Sequence, residues 1–476
     1  MTASFQTRNT VAGTMARLAK TTTFESLDMA VVEYTKLLTL SCLGSMIRGS
    51  DLTATKVVKD YIRRQGAIHS ATVAGEDFRT SSELAALANA TFAHATEYED
   101  DSFPEGVSTY TLVPPLLALA EERHLSGKSL IAAIVAGHEI QSRLGLACLH
   151  ALDRGYQLLP LLGTLATAAG AALMMNLTER QVAMAVCIST SQAAGIRIQN
   201  QYMTHFLESG TAARAGLFSA YLAEGGFDAA DYVFEGLNGS ELGFLEMLSG
   251  PRSPDPNAIF QSWGSPYRIL DVSMKLYPVC GLLQPVVQGV MTLRKQGSFV
   301  AADIAQVEVV GNGSLAEVCD IPNPSTDAAA TMSLHHVVAS AFIDPEVTIN
   351  SLRRERVADP HVSELRRRVQ LRIDEGAARG FLTSPIEVRL KLKSGELSTV
   401  KVSTIHGLPP QYLTREEILT KFQRTTEAMI STERMNEIVA CVDRLDEMDD
   451  LDEVTRLLCH ESISNGPRDR AKVSRG

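Results

Sequence analysis

The run Leu158-Leu-Pro-Leu-Leu-Gly-Thr-Leu-Ala-Thr-Ala-Ala-Gly-Ala-Ala-Leu-Met-Met-Asn-Leu177 holds twenty residues and no charge. Two readings compete for it, a membrane span and a core helix. A span needs about 20 consecutive, predominantly apolar residues. This run is interrupted by Pro160 and Asn176 and is rich in Ala, Thr and Gly. Small residues at helical spacing let neighbouring backbones approach, so the run reads as a fully buried helix inside a large helical core.

The flanking sequence has the same texture. Ser129 to Leu146 places Leu130, Ile134, Val135 and Ile140 at helical spacing behind a Ser126-Gly127 loop. Glu179–Ile196 and Ala212–Ala223 read as further Ala-rich helices, the second ended by Gly225-Gly226. A first helix is expected from about Thr10. Near residue 268 the pattern changes. Val307 to Val310 reads as a strand, Val369, Leu371 and Ile373 alternate with polar residues, and Ile386 to Leu392 turns at Ser394-Gly395 into Val400 and Val402. Ala328–Ala341 reads as a helix between these strands. Thr414 to Glu417 is a capping box that restarts helix, and Glu433–Leu445 continues it. Residues 464–476 are polar, basic and expected to fray. The fold class is mainly α: a helical domain over 1–268 and again over 410–476, with a smaller α+β domain over 269–409.

The 476 residues carry 44 Lys+Arg against 55 Asp+Glu, a net charge of −11. That sign opposes phosphate neutralisation and argues against nucleic acid as partner. The seven cysteines are scattered without a C-x-x-C pair, which fits a reducing compartment such as the cytoplasm. Arg8, Arg17 and Lys20, with no acid before Glu25, keep a mitochondrial transit peptide as the alternative. No partner membrane is expected.

Several motifs fail on inspection. Gly127-Lys128-Ser129 ends like a phosphate loop, but Glu122 stands where its first glycine belongs. Gly311-Asn-Gly313 follows a strand, but Pro322 and Pro324 argue for a plain turn rather than the helix a dinucleotide site requires. Glu97, Glu99, Asp100 and Asp101 could bind cations from a helix, as in terpene cyclisation, yet Pro104 occupies the third acid position. The bland reading is a solvated helix end. The adjacent His335 and His336 point about 100° apart on a helix and cannot easily share a ligand. Lys275 lies in an apolar segment, where it either snorkels or serves as a pocket cation. Cys280 has no basic neighbour in sequence and reads as structural.

The ordered set of Ala90-Thr-Phe-Ala-His94-Ala-Thr-Glu97-Tyr-Glu99-Asp100, Gly137-His-Glu139 with Arg143-Leu-Gly145, Ser191-Gln-Ala-Ala-Gly195, Gly210 to Gly216, Lys275-Leu-Tyr-Pro-Val-Cys-Gly281 and Gly407-Leu-Pro409 resembles the MmgE/PrpD family over about residues 10–460. The resemblance implies a helical domain built from both chain ends, a smaller α+β lid, a homodimer and a cleft between domains. It implies no cofactor, no metal and acid–base chemistry on small carboxylic acids, such as cis-aconitate decarboxylation or 2-methylcitrate dehydration. Family pockets use a carboxylate, two histidines, two lysines and a tyrosine. Here Ser108 and Gln157 fall at the histidine positions, His205 at the first lysine, Gln284 at a further histidine and His336 near the tyrosine.

These departures predict a less charged ligand, because a buried polyanion without cations is costly. The uncharged Leu158–Leu162 stretch predicts a greasier pocket. The expected enzyme is a repurposed lyase, isomerase or cyclase acting on a small organic acid or natural-product intermediate in secondary metabolism. His205 and His336 are its expected base and acid, Lys275 its cation, and Glu97 or Asp100 its orienting carboxylate. Ser108, Gln157, Tyr277, Arg214 and Gln284 would contact the substrate. An ordinary family decarboxylase or dehydratase, and a non-catalytic ligand-binding or scaffold relative, are the alternatives.

Overall fold

The computed structural model describes residues 10–237, 241–252, 254–256, 258–378, 380–381 and 384–460. Arg8 and the basic tail at 464–476 lie outside the described residues. The protein is mainly helical, with one four-stranded sheet as its largest β element. The helices that position the site are Met29–Gly49 (α1), Ser82–Ala95 (α2), Gly127–Ala147 (α3), Leu158–Met174 (α4), Met203–Glu224 (α5), Leu334–Ile343 (α6) and Arg415–Thr426 (α7).

The run that opened the sequence is α4. Its proline lies in the first turn, where no intrahelical N–H is lost. Just beyond the helix, Asn176 takes the left-handed conformation (φ 52) that Asn tolerates well. α4 packs on α3 and α5, and α5 packs in turn on α2. Two glycines make this arrangement possible. A Cβ at Gly210 of α5 would stand 2.1 Å from Thr91 Oγ1 and 2.4 Å from the Leu87 carbonyl of α2. A Cβ at Gly49 of α1 would stand 1.8 Å from the Phe92 carbonyl. No side chain fits at either crossing, so α1, α2 and α5 meet backbone to backbone.

One apolar cluster draws on residues from Val11 to Met274 and again from Leu413 to Leu458. A second runs from Val279 to Leu392. The chain therefore leaves the helical core and returns to it, with α7 seated against α1. The Thr414–Glu417 capping box opens α7 as its spacing predicts. Met29–Gly49, rather than the run at 158–177, is the described helix long and apolar enough to cross a membrane. Within its most apolar window 83% is buried inside the protein, so it is the central core helix.

Six strands matter: Asp100–Asp101 (β1), Ser273–Met274 (β2), Ile304–Gly311 (β3), Val369–Ile373 (β4), Ile386–Leu392 (β5) and Leu397–Val402 (β6). β1 and β2 pair antiparallel with each other. The remaining strands form one sheet in the order β6-β5-β3-β4, in which β3 and β4 are parallel. The predicted hairpin is β5–β6, and the alternating burial of β5 matches one covered face.

Three local expectations are corrected. The helix from Glu179 stops at Thr190. The helix expected over 328–341 is broken at Ser333, whose hydroxyl accepts from His336 N at 3.1 Å and starts α6. A short helix, Gly313–Cys319, does follow β3, because Asn312 caps it on Ser314 N and Leu315 N.

Candidate functional site

The site grows from the end of α2. The helix stops at Ala95, Glu97 takes a left-handed backbone (φ 49), and the chain runs extended into β1. Extended chain alternates its side chains. Glu97, Glu99 and Asp101 therefore face one way and Asp100 the other. The β1–β2 pairing sets Asp100 opposite Met274 and brings Lys275 onto the three-acid face. Lys275 Nζ lies 3.1 Å from Glu97 Oε2 and 3.6 Å from Asp101 Oδ2, and also donates to Glu99. At 4% exposure Lys275 does not snorkel.

α5 completes the cluster. His205 Nε2 lies 3.1 Å from Glu97 Oε1, and its Nδ1 lies 3.9 Å from Glu208 Oε2. The His94 ring stands 4.4 Å from the His205 ring, centroid to centroid, and its Nδ1 is hydrogen-bonded to Ser209 Oγ at 2.8 Å. Among the described residues, Glu99 Oε2, His205 Nδ1 and Glu208 Oε2 are buried without a hydrogen-bond partner. Such atoms are rare in folded proteins and mark a place where a further polar group is wanted.

Charge at the cluster is strongly polarised. Burial pushes Glu97 up, but Lys275 and His205 override it and hold the carboxyl far below the usual range. Burial lowers His205, yet Glu208 and Glu97 outweigh it and bring the imidazole up to about 9. Burial raises Glu99 to about 7 despite Lys275, and raises Asp101 well above its ordinary value. His94, buried beside the charged His205, is driven well below neutrality. At neutral pH the site thus holds an ionised Glu97 between two cations, Lys275 and a protonated His205. His94, Glu97 and His205 place ligand atoms within 4.8 Å of one another and could hold a metal ion. Lys275 already neutralises Glu97, so a divalent ion there would face an ammonium at close range.

Other expectations are corrected. Asp100 points away from Lys275: its carboxylate accepts from Ser108 Oγ at 2.5 Å, from Thr109 N at 3.2 Å and from Thr109 Oγ1. Ser108 is thereby spent on Asp100 and on Tyr110 N–H, not on a ligand. Gln284 is also fully used. Its Oε1 accepts from Leu276 N and Tyr277 N, and its Nε2 donates to the Tyr277 and Val279 carbonyls, all within 3.2 Å. It clamps the loop that carries Lys275. His336 is not brought to the cluster: its Nε2 meets the Ser351 carbonyl at 2.9 Å, and Arg366 stands 3.5 Å from its Nδ1. Burial lowers it to about 4.

Arg214 is exposed on α5. Nine residues from His205 is half a turn out of phase. Gln157 is half-buried at the N-cap of α4, where its N–H bonds the Gly195 carbonyl. Leu158 to Leu162 are buried in the helical core and line no cleft described below. Cys280 has Cys319 as the partner that lowers its thiol.

A cleft of about 910 Å³ lies between the helical body and the second apolar cluster, with Arg48, Tyr98, Tyr277, Lys295, Arg353 and Arg424 in its walls; it is lined by the sequence neighbours of Glu97, Glu99 and Lys275, and not by those residues themselves. Of the predicted substrate contacts, Tyr277 is the one that reaches it. Asp51, Glu346 and Glu427 also line it, so its charges are nearly balanced. Beneath Tyr98, Lys421 of α7 donates to the Tyr98 carbonyl at 2.9 Å. Burial brings Lys421 down to about 7 although Asp100 opposes it. The sequence reading missed His94, Glu208, Lys421 and the cleft arginines. A strand rather than a helix end at 97–101 would have exposed the alternation of acids.

The MmgE/PrpD N-terminal domain model matches residues 13–257 and the MmgE/PrpD C-terminal domain model matches 277–447. The chain is 25% identical to a cis-aconitate decarboxylase of Mus musculus, over 91% of this chain and 90% of that one. It is 26% identical to a cis-aconitate decarboxylase of Aspergillus terreus, with 79% and 80% covered. It is 25% identical to the cis-aconitate decarboxylase-like protein oryM of Aspergillus oryzae, with 88% and 90% covered.

Proposed function

The chain belongs to the MmgE/PrpD family, and from that footing we propose that it is a lyase using Glu97, His205 and Lys275 for proton transfer next to a carboxylate. The observation that carries the reading is the buried triad itself: one ionised carboxylate at 3.1 Å from each of two cations, ringed by unpartnered polar atoms. His205 is the acid and Glu97 the carboxylate that keeps it protonated, which reverses the role first expected of His205. An imidazole at about 9 is a donor at neutral pH. In a decarboxylation the C–C bond to the leaving carboxylate breaks, CO₂ departs, and its electron pair passes into the conjugated acid. His205 then delivers a proton to carbon. Lys275 stabilises the negative charge that develops on oxygen. The substrate is a small organic acid or natural-product intermediate, and secondary metabolism is the setting this divergence supports.

A second reading, cis-aconitate itself, is favoured by the cations that the sequence reading overlooked. His205 is charged where the family has a lysine, and Arg48 and Arg353 stand in the cleft. The test is ¹H NMR in D₂O with cis-aconitate, 2-methylcitrate and a panel of alkyl-substituted dicarboxylic acids. The proposal expects carbon-bound hydrogen exchange or CO₂ loss from panel members, abolished by Glu97→Gln. Efficient turnover of cis-aconitate establishes the second reading instead, and efficient turnover of 2-methylcitrate overturns both in favour of a dehydratase. No exchange or turnover of any acid overturns both.

A further inference from the structure

Two polar atoms of the cluster face each other across 3.9 Å, His205 Nδ1 and Glu208 Oε2. Both are buried, and among the described residues neither has a hydrogen-bond partner. Three positions apart on α5, the two side chains share one face of the helix. The other edge of the same ring, Nε2, lies 3.1 Å from Glu97 Oε1. A neutral imidazole has one N–H to give, and an imidazolium has two. A ring set between two carboxylates is therefore matched at both edges only in its charged form. The titratable groups around it are Glu97 from the segment entering β1, His94 from α2, Lys275 on the far side of Glu97, and Glu208 from its own helix.

Glu208 is itself anchored from outside the cluster. Its Oε1 accepts from Ile196 N at 3.0 Å. Ile196 belongs to a short antiparallel ribbon, in which Gln157 N donates to the Gly195 carbonyl and Arg197 N to the Gly155 carbonyl, each at 3.0 Å. Tyr156 and Ile196 are the pair between those bonds, and the N–H groups of such a pair point out of the ribbon. The Ile196 N–H is thereby free for Glu208. The Arg197 guanidinium secures the ribbon, donating to the Leu152 carbonyl at 3.0 Å. With one oxygen held there, the second is left aimed at the ring. A glutamine oxygen would accept the Ile196 N–H equally well. A carboxylate at 9% exposure costs desolvation, so its charge needs a second use, and the imidazole supplies it.

We propose that Glu208 is a positioning residue of the proton-transfer site: anchored to the ribbon through Ile196, it fixes the orientation of the His205 ring and holds the proton on Nδ1. The inference rests on the proposed function for His205 as proton donor, but not for the contact itself. With Glu97 alone the ring can pivot about its bond to Cβ; a carboxylate at each edge removes that freedom. The 3.9 Å spacing exceeds that of a charge-assisted bond, and catalytic pairs of this kind tighten when substrate is in place.

The test follows the His205 ring by NMR in the full chain carrying ¹⁵N-labelled histidine, with His205→Asn to assign its signals. In the native chain both ring nitrogens should carry hydrogen at about pH 7; a neutral ring there overturns the proposal without any variant. Glu208→Gln keeps an acceptor for Ile196 and deletes the charge. The ring should then bind its proton at least about tenfold more weakly, as expected on losing an opposite charge within about 4–6 Å. Hydrogen exchange over residues 194–198 should stay as in the native chain, because the ribbon keeps its anchor. On an acid that the chain turns over, Glu208→Gln should lower kcat more than it raises KM, and the alkaline fall of kcat should begin at correspondingly lower pH. Unchanged proton affinity in Glu208→Gln shows that the carboxylate serves the ribbon alone and overturns the proposal. A kcat profile that stays put while the ring titration moves overturns it too. Weakened proton binding in a chain that turns over no acid supports the contact and sinks the catalytic reading alone.

Discussion

Replacing Lys275 by Met keeps the length and apolar stem of the side chain and deletes its charge. In the native protein that charge lies 3.1 Å from Glu97 and 3.6 Å from Asp101, with Glu99 closer still. One unit pair at that first distance is worth about 5 kcal/mol at an effective dielectric constant of about 20. The three acids do not count equally. Glu99 sits at about 7 and Asp101 is raised further, so protons already offset part of their charge. Glu97 is the partner that stays ionised throughout the neutral range. Breaking a buried pair by removing one member costs about 3–5 kcal/mol, and that is the expected destabilisation near neutrality.

The sign of the pH dependence follows. Native Glu97 has a depressed carboxyl, so its contribution is complete above the unfolded value and disappears as pH falls. Without Lys275, Glu97 keeps His205, but Glu99 and Asp101 lose the charge that opposed their burial, so their folded values stand further above the unfolded ones and the variant loses stability as pH rises. The deficit should therefore be larger at about pH 8.5 than at about pH 5.5. Urea unfolding followed by circular dichroism at both values is the assay. A deficit below about 1 kcal/mol, or one equal at the two pH values, would refute the view that Lys275 is the counter-charge of a buried ionised Glu97.

Glu97→Gln and His205→Asn should each lower kcat by about 10²–10⁴ with KM less affected, and the double variant should lose little more than either alone; additive losses in kcat would show that the two residues do not act as a unit. Gln284→Leu should cost about 2–4 kcal/mol, because four backbone groups, one buried and three half-buried, lose their partner. Hydrogen exchange read by mass spectrometry should then quicken at residues 273–283, and unchanged exchange there would remove the clamp. Lys421 has a folded value of about 7, below its unfolded one, so wild-type stability should rise with pH from about 7 to about 10.5. Lys421→Met should abolish that rise, as equilibrium unfolding across this range can check. Gly210→Ala should cost at least about 1–3 kcal/mol by forcing α5 away from α2, visible as a lowered unfolding midpoint.

Much of the fold is legible in the chain because its cues are local. Small apolar residues at helical spacing identify α4, period-two alternation identifies the β5–β6 hairpin, and the Thr414 box marks the return to helix. The site is less legible because its cues are not. Lys275 and Glu97 stand 178 positions apart and meet only through the β1–β2 register. Ser108 and Gln284 sit at family ligand positions, yet their hydrogen-bonding capacity is taken by Asp100 and by the backbone of the Lys275 loop. No spacing rule announces that. Two of the cleft arginines, Arg48 and Arg353, come from α1 and from the second apolar body, each unremarkable in sequence, and become a pair only when the two bodies meet at Asp51.

The discontinuous helical core has a consequence for how the protein is made on the ribosome. Residues 11–274 emerge first and bring Glu97, Glu99 and Asp101 together before Lys275 and its clamp at Gln284 have been synthesised. One side of α1 stays open for longer still, until α7 arrives some 370 residues later with Lys421 for the Tyr98 carbonyl. A nascent or prematurely terminated chain therefore exposes one apolar side of α1 and leaves Glu99 and Asp101 without their cation. Such a chain is a client for chaperones and a poor candidate for partial activity. The segment that closes α1 is thus among the last of the helical core to be made.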